Sequence, residues 1–429
     1  MNKLIEISIN FIDDKKSNLF KILLVLSILM LVIGIIGTYR TFNDGLVNWG
    51  IHNKVSWGIA IVNFIYWIGL AHAGTLISAI LFLLNQGWRV HLNRLAEVMT
   101  VMALIIGGLF PIIHTGRPWF AVYWLLPYFN QMSIMPNFKS PLTWDIFAIL
   151  SYFIVSILFL SLGMLPDIYS LRDRVKSKYI NKLYRMFTFF WSGSKKQWED
   201  YRSLYLLFAG ILTPLVISVH SIVSFDFYVS VLPAWHTSIL PPYFVVGAIF
   251  SGCAMVVVMS LLFNKLMGLK ESPSYVLDKL NKIILTTSMM ISFVYLLEYL
   301  TGFIHKPEYS GFLIFDNFNP LLILMIILNS IIPLMLFIKK IRLSTVGSIL
   351  ISLGVLIGMW IERYIFVVFG QEKSFMEINN SSYLPTITDI SILIGSFGLF
   401  FFLILLFSKI FPINSLIELR LNNLSKSNE

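Results

Sequence analysis

Four ionisable side chains, His114, Asp145, His220 and Asp226, each stand at the edge of a long apolar run. Their settings are Pro111-Ile-Ile-His114-Thr-Gly-Arg117-Pro-Trp119, Ser140-Pro-Leu-Thr-Trp144-Asp145 and Ser218-Val-His220-Ser-Ile-Val-Ser-Phe-Asp226. Ionisable groups are expensive to keep at such places, which makes them candidates for function. The chemistry they suit is oxidation of a hydroquinone, whose oxygens need a donor and a base while protons and electrons leave. Histidine changes protonation near neutral pH, and a carboxyl withdrawn from water accepts a proton more readily. Trp119, Tyr123, Trp124, Trp144, Phe225 and Phe227 offer a flat apolar slot for a ring and its isoprenoid tail. A plainer role stands beside each. Aromatic residues also collect at membrane edges, and His or Asp can tie helix ends together, with Asp145 after Thr143 suited to a first helical turn. Arg117 suits an ion pair with Asp145 or Asp226 and equally a lipid phosphate.

The elements that must position these residues are membrane helices. Of the 429 residues, 57% are hydrophobic and 13% charged, with a mean hydropathy of +0.80, too apolar for an ordinary soluble domain. Ten runs are long enough to span a bilayer, at 19–39, 57–85, 95–113, 145–166, 203–223, 241–265, 283–303, 320–338, 344–369 and 387–411. Strands are not expected, since an open sheet edge in lipid leaves backbone groups unpaired. The first run lacks a small-residue cleavage site after it and is expected to remain as an anchor.

Charge orients the runs. One side, with the N-terminus, the loops after the even-numbered runs and the C-terminus, carries 25 of the 32 Lys and Arg residues. By the positive-inside rule both termini are cytoplasmic. The net charge of +10 is read as topology and contact with anionic lipid, not as a nucleic-acid partner. His114, Asp145, His220 and Asp226 then share one depth at the outer face. The long basic loop from about Asp167 to Arg202 contains an aromatic stretch, Tyr184 to Trp191, suited to lying along the membrane surface.

His72 lies mid-run between small residues, in Ala71-His72-Ala73-Gly74, and either relays protons or makes an interhelical hydrogen bond. Glu298 and Glu362 pose the same question in the other half. A two-haem cytochrome b needs paired axial histidines at two depths, a pattern not met here, since Pro233 separates His220 from His236. The single cysteine, Cys253, excludes disulfides, Cys-ligated zinc and an iron–sulfur cluster held by this chain alone. No metal is expected.

Several stretches together resemble the NrfD and polysulfide-reductase membrane-subunit family, most of all its larger ten-helix members in alternative complex III. They are His72-Ala-Gly-Thr-Leu-Ile-Ser78, Phe110-Pro-Ile-Ile-His-Thr-Gly-Arg-Pro-Trp119, Trp144-Asp-Ile-Phe-Ala148, Val219-His-Ser-Ile-Val-Ser-Phe-Asp226 and Pro241-Pro-Tyr-Phe-Val-Val-Gly247, with thinner likeness at Tyr383-Leu-Pro-Thr386 and Gly395-Ser-Phe-Gly-Leu-Phe400. The resemblance implies an all-α protein of about ten spans, with two four-helix bundles, helices 2–5 and 6–9, flanked by helices 1 and 10. The corresponding segments are 1–56 (anchor helix and outer loop), 57–223 (first bundle), 224–369 (second bundle) and 370–429 (last helix and tail).

It further implies a menaquinol site in the first bundle, with His114, Asp145 and Asp226 at the family's His and Asp positions and His220 and Arg117 beside them. Trp119, Trp144 and Phe225 line it; His72, Glu298 and Glu362 belong to a proton path if there is one. Electrons pass to a periplasmic iron–sulfur subunit, then to multihaem c-type cytochromes and a terminal oxidase, with a second NrfD-like subunit alongside. The chain itself holds no haem or iron–sulfur centre. Two relatives of this role remain open: a sister subunit without quinol that is structural or translocates protons, and the membrane anchor of a polysulfide-type molybdopterin reductase. A secondary transporter is disfavoured because the prolines fall mostly at run ends. The loop His305 to Asn319 departs most from the family.

Overall fold

In lipid the main chain must satisfy its own hydrogen bonds, and a helix does so within one segment. The computed structural model describes residues 2–13, 17–120, 141–230, 232, 234–235, 239–269, 273–304, 319–372 and 382–420, and no strand occurs among them. Among the described residues ten helices are long and apolar enough to cross a membrane: α1 (Asn18–Asn48), α2 (Ile59–Leu83), α3 (Asn93–His114), α4 (Trp144–Leu171), α5 (Lys195–Tyr228), α6 (Leu240–Leu266), α7 (Ser274–Thr301), α8 (Pro320–Phe337), α9 (Thr345–Glu372) and α10 (Ile387–Ile410). Tyr123, Trp124, His236 and nearly all of the 305–319 loop lie outside the described residues.

The boundaries moved where polar residues extend a helix beyond its apolar run. α5 starts eight residues earlier than its run, because Ser194 caps it by accepting from the Gln197 N–H at 3.3 Å. α5 also continues to Tyr228, so the division expected after residue 223 falls inside a helix, and the one after 369 falls inside α9. Asp167, expected to open a loop, is in α4 and buried, its charge met by Arg94. Pro111, Pro166 and Pro214 lie inside α3, α4 and α5 rather than at their ends.

α2 is buried nearly all round, in contact with α3, α5, α6, α9 and α10. α6 packs on α2 and also on α5, α7 and α9, so these two helices join the halves of the molecule. At the edge, α1 buries one stripe, Phe20, Ser27, Gly34 and Thr41, spaced by seven residues, and lays it along α10. The backbones meet at Gly34 and Gly395: a Cβ on Gly395 would lie 2.3 Å from the Gly34 Cα. Gly395→Val is therefore expected to destabilise the protein by about 1–3 kcal/mol, the usual cost of overpacking, seen as a lower thermal-unfolding midpoint in detergent.

Between α4 and α5 a short amphipathic helix, Lys178–Phe187, buries Tyr184, whose hydroxyl donates to the Ile410 carbonyl at 2.6 Å. The chain before it is tied to the N-terminal helix Asn2–Asp13, as the Lys176 N–H donates to the Asp13 carboxylate at 2.8 Å.

Candidate functional site

α3 ends, α4 begins and α5 ends on the face opposite the termini. Two carboxyls meet there. Asp145, in the first turn of α4, and Asp226, near the end of α5, lie close enough to interact directly. Asp145 is 5% exposed and Asp226 partly buried, and Oδ1 of each is buried without a hydrogen-bond partner among the described residues. His114 closes α3 with its ring against Trp49, centroids 5.6 Å apart, and its Nδ1 is likewise buried and unpartnered. Unmade hydrogen bonds of this kind cost about 1–3 kcal/mol each, so three at one membrane face mark a place built for something polar. Arg117 is exposed and, among the described residues, pairs with neither aspartate.

His220 is not at this depth. Because α5 runs unbroken past it, His220 sits about 9 Å further in than Asp226 at 1.5 Å per residue. It is fully buried, and its ring meets that of His72 edge to face, centroids 4.5 Å apart. His72 Nδ1 bonds the Ile68 carbonyl at 2.6 Å, and its ring also touches Tyr152. The small residues around His72 permit this crowding, as a Cβ on Gly74 would collide with Thr100 and the Ala96 carbonyl of α3. Neither ring nitrogen of His220 has a hydrogen-bond partner among the described residues.

Beyond His220 the polar groups continue into the second half. Phe244 lies against His220 on one side and under the Arg363 guanidinium, 4.2 Å away, on the other. Arg363 pairs with Glu362 at 3.4 Å, and Glu362 accepts from the Tyr295 hydroxyl and from Asn329 Nδ2. Ser288 donates to the Asn329 carbonyl at 2.7 Å, and Asn281 to Ser348 at 2.7 Å. Glu298 is buried in α7. Three wider turns in π register, Leu76–Ile80, Ile327–Ile331 and Ile365–Phe369, adjoin this chain, one after His72, one containing Asn329 and one after Arg363. Such turns recur at functional sites.

On the terminus side, Arg94 of α3 is buried between Glu97, at 2.6 Å, and Asp167 of α4, at 3.1 Å. Tyr205 donates to Glu97 at 3.1 Å. A small cavity lined by Thr75, Ser78, Glu97, Thr100 and Ser156 separates this cluster from the His72 level.

Of the aromatic residues expected to form a slot, Trp119 and Trp144 are exposed. Phe227 instead belongs to a buried cluster with Trp57, Trp235 and Phe366. Tyr295, Asn329, Arg363 and the Arg94 cluster were missed by the sequence reading. One signal was available: Asn281, Ser288 and Tyr295 recur every seven residues, which puts them on one face of α7.

Comparison with known proteins agrees with a membrane subunit. The family described as "Polysulphide reductase, NrfD" matches residues 48–373. The chain is 24% identical over 239 residues to a putative dimethyl sulfoxide reductase membrane subunit from Halobacterium salinarum, covering 55% of this chain and 50% of that protein. It is 26% identical over 354 residues to a selenate reductase subunit from Mesobacillus selenatarsenatis, covering 79% of each. The chain thus spans only half the length of the first of these relatives.

Proposed function

Because the chain belongs to the NrfD polysulphide-reductase family, we propose that it is the quinol-oxidising membrane subunit of a respiratory oxidoreductase, with menaquinol as substrate. One observation carries the reading: Asp145 and Asp226 bring two carboxyls together at the face opposite the termini, each with a buried, unpartnered oxygen. A hydroquinone bound there has hydroxyls to donate to such oxygens. Its two O–H bonds break, the two protons are taken up within the group formed by Asp145, Asp226 and His114, and two electrons leave for an iron–sulfur centre on a docked partner. Quinone departs into the bilayer, and the protonated groups discharge to the aqueous phase at the outer face, with both termini in the cytoplasm of a bacterial inner membrane. Arg117, Trp119, Trp144 and Phe225 line the entrance. The His72–His220 contact, with Glu362 and Glu298 beyond, supplies an internal proton route.

The relatives' names, a dimethyl sulfoxide reductase membrane subunit and a selenate reductase subunit, favour a reductase as the complex, which we take to be of the molybdopterin type, with this chain as its membrane anchor and quinol oxidase. Alternative complex III, with its multihaem cytochromes and second NrfD-like subunit, is the other assembly. Affinity purification of the chain with its partners separates them: molybdenum in the purified complex supports the first, covalent c-type haem the second. The quinol role is tested by a menaquinol-analogue inhibitor. His114→Ala is expected to weaken its binding about tenfold, the scale of one lost hydrogen bond. Unchanged binding in this variant, or inhibitor held wholly by another membrane subunit, rejects the site and favours the sister role without quinol.

A further inference from the structure

The first turns of α5 stand outside the apolar core. Its 34 residues are about 51 Å long at 1.5 Å per residue, against a hydrocarbon layer of about 30 Å. Lys195, Lys196, Glu199, Asp200 and Arg202 crowd those turns, and the apolar stretch begins only at Leu204. Trp198 and Arg202 therefore lie at headgroup level, with Tyr205 at the edge of the acyl region. Facing them, Phe82 lies in the last turn of α2 and Arg89 in the turn Gly87–His91 that follows. Together with Tyr201 these residues line a cavity of about 220 Å³ between the headgroup and acyl levels of the terminus-side leaflet.

Its electrostatics select the ligand. Arg89 is buried, its guanidinium 4.6 Å over the Phe82 ring and paired with Glu418 at 3.3 Å. Arg202 is exposed and makes no ion pair among the described residues. With Arg89 balanced by Glu418, Arg202 leaves the lining one positive charge in excess, the complement of a single phosphodiester. The walls are otherwise aromatic. The volume is below the roughly 300–1,000 Å³ of sites that enclose a whole small molecule, so the cavity takes part of a larger amphiphile whose remainder lies in the bilayer.

We infer that this cavity holds an anionic phospholipid, its phosphate on Arg202 and the start of one acyl chain among Phe82, Tyr201 and Tyr205. A neutral quinone leaves the Arg202 charge unmet, and free inorganic phosphate leaves the aromatic walls unfilled. The lipid would also cover the Arg89–Glu418 pair that fastens the C-terminal segment.

Native mass spectrometry of the full-length protein, released from nanodiscs of mixed phosphatidylglycerol and phosphatidylcholine, tests this. One phosphatidylglycerol should be retained where phosphatidylcholine is lost, and Arg202→Gln should lower that retention about tenfold. Quenching of tryptophan emission by brominated phosphatidylglycerol should fall in Trp198→Phe, an independent readout that keeps the fold intact. Equal retention in Arg202→Gln and wild type, displacement of the lipid by millimolar inorganic phosphate, or retention of menaquinone in its place would overturn the proposal.

Discussion

Asp145→Asn is expected to slow quinol oxidation at least a hundredfold while leaving the protein assembled. A positioned acid–base group contributes about 10²–10⁴ to a rate, and Asn keeps the shape of Asp but cannot take the proton. The fold should tolerate the change, since Oδ1 of Asp145 has no partner among the described residues to lose. Because its carboxyl meets that of Asp226, the two act as a unit. Asp226→Asn should therefore show a similar loss, and the double variant little more than either single one, the non-additivity of groups serving one step. The measurement is the rate at which a reduced menaquinol analogue drives reduction of the partner's acceptor in membranes. Wild-type turnover in Asp145→Asn would remove the carboxyl pair from the reaction.

The second large effect is on stability. Arg94→Ala strips the shared cation from Glu97 and Asp167, both almost fully buried, and breaking a buried pair by removing one partner costs about 3–5 kcal/mol. The pocket cannot close over the loss, because Gly163 of α4 leaves its space to the guanidinium, 2.6 Å from where a Cβ would be. Arg94→Lys restores charge without the fork that reaches both carboxylates, so it should recover only part of the loss. Reversible unfolding in mixed micelles measures both. If Arg94→Ala unfolds with the wild-type midpoint, the cluster is not holding α3 to α4.

The spans were legible because hydropathy over some 20 residues reports burial in lipid directly. What that signal cannot carry is the polar end of a helix. Lys195 to Arg202 and Asp167 read as loop because they are charged, yet cap and ion pair keep them helical. The same limit placed His220 at the surface: its neighbours Ser218, Ser221 and Ser224 look like an exit, but each bonds a carbonyl of its own helix, and the helix continues. Asp145 and Asp226 were legible as individuals, since carboxyls beside apolar runs are rare. Their contact was not, because it depends on how α4 and α5 are rotated. Arg363 and Tyr295 were hidden by distance, each ordinary in its own run and meaningful only across the interface of α7 and α9.

The seam between α1 and α10 sets an order on biosynthesis. α1 leaves the ribosome well before its partner, which is made some 340 residues later, roughly 20–70 s at about 5–20 residues per second. Through that interval its stripe of Phe20, Ser27, Gly34 and Thr41 faces lipid or an insertion chaperone. Docking of α10 onto α1 thus certifies that everything between them has been made and inserted, and a nascent chain stalled before Ile387 would display the open stripe to membrane proteases.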